Sequence, residues 1–200
     1  MNAIDALKHD AKSLGFAVPS EEWQSLSAEF TACRFPTGDV ILSSVRVADR
    51  WLFVTRGIVA FEQTSPDGGT LIGRFFQPGQ FCSNLESAWR QELASDTLIA
   101  ITNVEGVLLP DPVFRDQYLR GGVFGQYLRI KAMETLILDK DILCAKTSND
   151  TEVQYSFLER SFPEVVQRAT QKDVARFIGV TPQGLNRFLR NRKSSSARAG

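Results

Sequence analysis

The segment TQKDVARFIGVTPQGLNRFLRNRK, at residues 170–193, carries the most specific structural pattern in the chain. Apolar residues recur at helical spacing on both sides of Gly179, a residue that adopts a left-handed turn without steric cost. Pro182 suits the first turn of a following helix, since a helix does not use the N–H that proline lacks. The pattern predicts two helices, 171–178 and 182–191, joined by a tight turn.

The second of these helices is predicted to bury an apolar face and to turn a polar face outward. Glutamine and asparagine pair bidentately with adenine, arginine pairs with guanine, and a helix N-terminus favours a phosphate. We therefore interpret the segment as a helix-turn-helix that enters the major groove of DNA, with Gln183 and Arg187 as base contacts. The residues expected to position the DNA backbone are Thr170, Thr181, Asn186, Arg190 and Lys193.

Charge supports this interpretation. The whole chain is neutral, but residues 164–200 hold eight basic and two acidic residues. A basic end on an acidic body suggests a polyanionic partner. One alternative stays open, in which the basic end docks an acidic protein instead of DNA and the chain is a regulatory binding module.

Upstream of this segment, residues 123–147 predict one long helix with two apolar rows. One row follows a heptad seam and is the candidate dimer interface: Val123, Ile130, Met133, Ile137 and Cys144. The other row holds Phe124, Leu128, Leu136 and Leu143. We expect one row to pack on the body and the other to meet a partner helix. The alternative is a single helix within one domain that has a wide apolar face.

The region before the long helix is rich in short β-branched and aromatic runs separated by turn residues. The predicted strands are 40–45, 51–55, 58–63, 70–76, 97–102 and 106–109. Asp67-Gly68 predicts a hairpin turn, residues 84–93 appear helical, and two short helices precede the strands. This spacing is typical of a β-sandwich or jelly roll.

The chain lacks the residues that several classes of protein function require. The three cysteines, Cys33, Cys82 and Cys144, form no CxxC and are expected to be reduced and mostly buried. A metal-dependent cupin enzyme would need several histidines in the roll, but the chain has only His9. No catalytic motif or metal site is found. Because neither a signal peptide nor a membrane span is evident, we expect a cytoplasmic protein.

The order of jelly roll, long helix and helix-turn-helix resembles the Crp/Fnr transcription regulators from about Phe30 to Lys193. FPTGDVILSS, FFQPGQF and the 170–193 segment carry the resemblance. It implies an α+β fold and a homodimer on a palindromic double-stranded DNA site, with RNA polymerase as a further partner. The expected divisions are a sensor domain at 1–122, a dimerisation helix at 123–147, a DNA-binding domain at 148–193 with a reduced or missing wing, and a disordered tail at 194–200.

Members of this family often hold a cyclic nucleotide in a cassette that here is GQFCSNLESAWRQELASDTLIA, from Gly79. The family's glutamate falls at Asn84 and its phosphate-binding arginine at Ala94. Without that arginine the resemblance does not imply the usual response to cyclic AMP, unless Arg90 or Glu86 substitutes in a shifted register. The candidate ligand pocket is Gly79, Gln80, Phe81, Cys82, Asn84, Glu86, Arg90 and Ser95. No cofactor is expected, and a small-molecule effector stays open.

Overall fold

Two four-stranded antiparallel sheets form the N-terminal body of the protein in a computed structural model, which describes residues 2–64 and 68–196. The strands are β1 Thr31–Phe35, β2 Val40–Leu42, β3 Arg50–Arg56, β4 Val59–Thr64, β5 Thr70–Phe76, β6 Phe81–Cys82, β7 Thr97–Ala100 and β8 Val104–Pro110. One sheet has the order β1-β8-β3-β6, and the other has the order β2-β7-β4-β5. This is the predicted jelly roll.

The tight turn from β3 into β4 depends on Gly57. Its φ is +90°, in the left-handed region, and a Cβ there would collide with the backbone carbonyl oxygen of Asn103. Only glycine satisfies both conditions. The turn lets Val54 and Val59, both buried, contribute to the core between the sheets.

Helices cover one end of the roll. They are α1 Ala3–Ser13, α2 Ser20–Ser27, α3 Leu85–Arg90 and α4 Asp111–Arg120. An aromatic cluster joins α4 and the roll to the start of α5 (Val123–Lys146) through contacts such as Trp51 stacked on Phe114 at 3.8 Å. The buried Tyr127 hydroxyl donates to the Asp10 carboxylate at 2.7 Å and so ties α5 to α1.

The long helix α5 is anchored near both of its ends, since Ile142 and Ala145 in its last turns are buried in the cluster shared with the roll. Phe124 and Leu128 are buried against the roll. The expectation that their whole row packs on the body is wrong for Leu136 and Leu143, which are 59% and 64% exposed. These two side chains instead border an open cavity between α5 and the roll.

Four helices complete the chain: α6 Thr151–Ser161, α7 Pro163–Arg168, α8 Gln171–Ile178 and α9 Pro182–Ser196. They share one hydrophobic cluster with the roll, in which Phe75 of β5 meets Phe162 and Phe177. An ion pair between Arg176 of α8 and Glu62 of β4 closes the edge of this contact at 2.5 Å. Packing therefore continues across the predicted boundary at residue 148, and the division into domains stays a prediction.

Several short elements were not predicted, namely β1, β6, α4 and α7. Helix α4 follows β8 directly, and Pro112 lies in its first turn, where proline is tolerated. The disordered tail was expected from Ser194, yet α9 extends to Ser196, and residues 197–200 lie outside the described residues. Asp67 of the predicted hairpin turn also lies outside them, although β4 and β5 pair as expected.

Candidate functional site

The two helices predicted for the C-terminal segment form as α8 and α9, with a tight turn between them. Thr170 caps α8, because its hydroxyl accepts from the Asp173 N–H at 3.2 Å and donates to the Asp173 carboxylate at 2.6 Å. Gly179 ends α8 with a φ of +79°. Thr181 then caps α9 by accepting from the Gly184 N–H at 3.0 Å. These caps hold the two helices at a defined angle around the buried Leu185.

One face of α9 is free of the rest of the protein. Gln183, Asn186, Arg187 and Arg190 are all exposed, as the sequence predicts, while Leu185 is buried on the opposite face. The side chain of Lys193 lies outside the described residues. The Thr170 hydroxyl proton is already donated to Asp173, so this candidate contact is committed to the cap of its own helix.

Several of the basic residues in the C-terminal region are paired with carboxylates of the protein, so fewer of them are available to a partner than their number suggests. Arg192 pairs with Glu159 at 2.8 Å, Arg168 pairs with Glu164, and Arg176 pairs with Glu62. Within the described part of the region, Arg187 and Arg190 remain as cations on the outer face of α9 without an ion pair. The positive potential is therefore concentrated on the predicted recognition helix.

A second site lies in the roll. A cavity of about 600 Å³ opens between the β4-β5 sheet, α3, α4 and α5, and we call it the α5 cavity. Its apolar wall includes Trp51, Phe61, Phe76, Phe81, Leu85, Ala88, Trp89, Phe114, Tyr118, Leu128, Ala132, Leu136, Ile142 and Leu143. Its polar wall is Gln63, Arg74, Ser83, Asp111, Arg115, Lys131, Thr135, Asp139 and Lys146, with Gly73 between.

Of the eight residues predicted to form the ligand pocket, Phe81 lines the α5 cavity and the others are directed elsewhere. Asn84 is buried and caps α3 by accepting from the Ser87 N–H at 2.9 Å. Glu86 and Arg90 pair with each other on the surface at 2.7 Å, so neither substitutes for the missing cassette residues.

The remaining candidates have structural roles. Gly79 turns the chain with a φ of +86°, and the Gln80 side chain accepts from the Gln77 N–H. Ser95 donates to the adjacent Asp96, and Cys82 is buried in the core between the sheets. These seven residues do not line the α5 cavity, although Ser83, Leu85, Ala88 and Trp89 of the same segment do, and their role in a ligand pocket stays a prediction.

Arg74 is the candidate site residue that the sequence analysis missed. It comes from β5, its side chain is 8% exposed, and its Nη1 donates to Asp139 Oδ1 at 2.5 Å. Its guanidinium carbon lies 4.5 Å from the centre of the Phe76 ring. A signal was present, since Arg74 is the one charged residue in the strand TLIGRFF. A lone charge in a buried strand usually has a specific partner.

Lys146 lies at the far end of the same cavity. Its ammonium group donates to the Ile72 carbonyl at 2.7 Å and sits 4.4 Å from the centre of the Phe177 ring. Burial lowers the pKa of Lys146 from 10.5 to about 8. This residue connects the cavity wall, the end of α5 and the helix α8.

The cysteines are free, as expected, but they are not all buried. Burial raises the pKa of Cys33 to about 11 and raises the pKa of the fully buried Cys82 as well, so both thiols are held in the unreactive protonated form. Cys144 is exposed on α5, in the candidate dimer row.

That row is accessible along most of its length. Ile130, Met133 and Ile137 are 45%, 56% and 55% exposed, and Val123 is half-buried. Together with the exposed Leu136 and Leu143 on the neighbouring row, they form an apolar stripe on an otherwise charged helix. A stripe of this kind is typical of a protein interaction surface.

Among residues 2–64 and 68–196 no group of three potential metal ligands comes together. None of the helices in this part of the chain has the length and apolar character that a bilayer crossing requires.

Comparison with known proteins agrees with this architecture. Residues 32–120 match the family described as "Cyclic nucleotide-binding domain". The match spans the roll from β1 to α4. A comparison of the sequence with curated proteins finds no match.

Solved structures extend the likeness of the cyclic nucleotide-binding domain to the C-terminal helices. The c-di-GMP-responsive global regulator CLP of Xanthomonas campestris is 16% identical, with a TM-score of 0.66 over 84% of this chain and 89% of that one. CooA of Carboxydothermus hydrogenoformans, solved as a mutant, is 13% identical, with a TM-score of 0.68 over 98% and 85%. A protein of Eubacterium rectale assigned to the Crp/Fnr family is 15% identical, with a TM-score of 0.65 over 89% and 85%. The chain has the fold of the Crp/Fnr regulators.

Proposed function

We propose that this protein is a homodimeric transcription regulator of the Crp/Fnr type that binds a specific palindromic DNA sequence through α9. The observation that carries the proposal is the outer face of α9, where Gln183, Asn186, Arg187 and Arg190 are exposed. These side chains combine hydrogen-bonding groups for base edges with cations for phosphates. The fold that this chain shares with a regulator assigned to the Crp/Fnr family supports the proposal.

The apolar stripe on α5 supports dimerisation. Burying Ile130, Met133 and Ile137 against the same residues of a second copy would remove large apolar side chains from water. Two copies of α9 related by a two-fold axis would read half-sites about 34 Å apart, one helical turn of DNA. RNA polymerase is then the expected partner of the DNA-bound dimer.

Control by cyclic AMP through the usual cassette is not part of this proposal. The cassette position of the phosphate-binding arginine holds Ala94, which is buried, and the glutamate position holds Asn84, whose side chain caps α3. A cyclic phosphate placed there would have no bidentate counter-charge from the cassette.

The test is selection of bound fragments from a genomic DNA library by the full chain, followed by a salt titration of the selected fragments. We expect a discrete two-fold symmetric footprint and an affinity that falls steeply with salt concentration, since released counterions contribute to binding. The proposal fails if no fragment is enriched. Salt-insensitive binding to an acidic protein, together with no DNA binding, would support the alternative that the basic end docks a protein.

A further inference from the structure

We propose that the α5 cavity binds an apolar carboxylic acid whose carboxylate is held by the Nε–Nη2 edge of Arg74. The inference rests on the proposed function, because it names the chemical class of the effector that would act on such a regulator. The ligand is defined by two features of the cavity, a buried cation with free donors and a wall that is mostly aromatic and aliphatic.

The guanidinium of Arg74 is incompletely satisfied. Nη1 has the Asp139 carboxylate as acceptor, but Nε and Nη2 are shielded from solvent and have no hydrogen-bond partner. A buried donor without an acceptor is unfavourable, and for a charged group the penalty is larger. An acceptor supplied by a ligand in the cavity would remove it.

The geometry of the free donors indicates what kind of acceptor fits. The N–H bonds of Nε and Nη2 are parallel on one edge of the guanidinium plane, and two parallel donors match the two oxygens of a carboxylate. Packing on the ring of Phe76 keeps that plane in a fixed orientation. Because both nitrogen atoms are shielded in this conformation, a ligand carboxylate reaches this edge after a small shift of the side chains beside it.

The rest of the cavity favours an anion with an apolar body. Four cations line it, Arg74, Arg115, Lys131 and Lys146, against the two carboxylates of Asp111 and Asp139. Most other lining residues are aromatic or aliphatic, among them Trp51, Trp89 and Phe114. A carboxylate carries less charge into this environment than a phosphate dianion, so its desolvation is less unfavourable.

Asp139 connects the proposed ligand site to the long helix α5. It lies on α5, is 49% exposed, and is the acceptor that holds the Nη1 edge of Arg74. A ligand carboxylate on the same guanidinium shares the positive charge and weakens the link between β5 and α5. Ligand occupancy is thereby coupled to the position of the helix that carries the apolar stripe.

The experiment is a titration of the full chain with decanoate, followed by tryptophan fluorescence, since Trp51 and Trp89 line the cavity and Trp23 does not. Naphthoate is a second, aromatic acid, decanol is the uncharged counterpart, and cyclic AMP is the comparison ligand. We expect saturable binding of at least one acid and weaker binding of decanol. If neither acid saturates, or if decanol binds as tightly as decanoate, the proposal is wrong.

Two variants locate the site. Arg74→Met should weaken the acid by about tenfold or more, because it removes the charged donors. Asp139→Asn removes the competing acceptor charge and should tighten binding of the acid without affecting decanol. Arg56→Met, at a side chain that is 72% exposed, is the matched control and should change neither.

If Arg74→Met does not fold, the acid affinity of Asp139→Asn still tests the proposal. Acid binding that is unchanged in Asp139→Asn and in any folded Arg74 variant would overturn the assignment, as would binding of cyclic AMP in preference to the acids. The titration contains no DNA. A failure here is therefore distinguishable from a failure to bind DNA.

Discussion

Arg187 is exposed on α9 and has no ion pair within the described residues, so its guanidinium is available to a base edge. We expect Arg187→Ala to reduce the binding free energy that distinguishes the correct base pair from the wrong ones by about 1–3 kcal/mol at one position of the half-site. The sequence preference at that position should relax. Competition binding with single-base variants of the selected DNA measures this. Arg34→Ala removes the same charge from β1, where the side chain is 82% exposed, and should leave the preference unchanged. Equal losses in the two variants would contradict a base-reading role.

Lys146 is expected to make the free energy of unfolding depend on pH. Its folded pKa of about 8 lies below its ordinary value of 10.5, so the folded state binds fewer protons than the unfolded state between these pH values. The free energy of unfolding should therefore rise with pH across this window, and this group contributes at most about 3 kcal/mol to the rise. Below pH 8 the lysine is charged in the folded state, so the full cost of burying that charge is present there.

Urea unfolding at several pH values measures this dependence. Lys146→Met should flatten the rise between pH 8 and 10.5, whereas Lys172→Met, at an exposed position of α8, should keep it. Other groups also titrate at alkaline pH, so the quantity of interest is the difference between each variant and the wild type. Parallel curves for Lys146→Met and the wild type would show that the lysine does not control the dependence.

At the scale of elements, the contact of α8 with the β4-β5 sheet joins the C-terminal helices to the roll. Arg176 pairs with Glu62 and also donates to the Thr70 carbonyl at 3.3 Å, and Glu62 and Arg176 are 18% and 16% exposed. We expect Glu62→Gln to lower the free energy of unfolding by about 1–3 kcal/mol, since it leaves a largely buried cation with a weaker partner.

Hydrogen exchange tests the same contact locally. The amides of α8 should exchange faster in Glu62→Gln, while those of β8 should not change. Glu164→Gln is the control, because its pair with Arg168 is on the surface and is worth less than about 1 kcal/mol. If both variants exchange alike, the ion pair does not hold α8 on the sheet.

At the scale of the whole molecule, the exposed stripe of α5 predicts the oligomeric state. Ile137→Glu places a charge in the candidate seam and should convert the dimer to a monomer, as measured by light scattering during size-exclusion chromatography. DNA affinity should fall with it, since a monomer contacts one half-site only. Val45→Glu alters another exposed apolar side chain, which is 75% exposed, and should leave the dimer intact. A monomeric wild-type protein would contradict the expectation.

Local patterns in the sequence determined much of the helix-turn-helix and of the roll. Thr170, Gly179 and Thr181 act through neighbours within three residues, so their caps and turn are predictable from spacing alone. The outward face of α9 follows in the same way from helical periodicity. Strand β5 was predicted with its observed bounds because its turn signals and apolar run coincide.

Only the tertiary structure decided the content of the α5 cavity. Arg74 and Asp139 are separated by 65 residues and meet because β5 and α5 border the same space. The cassette residues Asn84, Glu86 and Arg90 satisfy hydrogen bonds and charges near themselves, which motif spacing does not reveal. Caps and turns are contacts between close neighbours in the chain, whereas a buried cation and its partner depend on how distant elements pack.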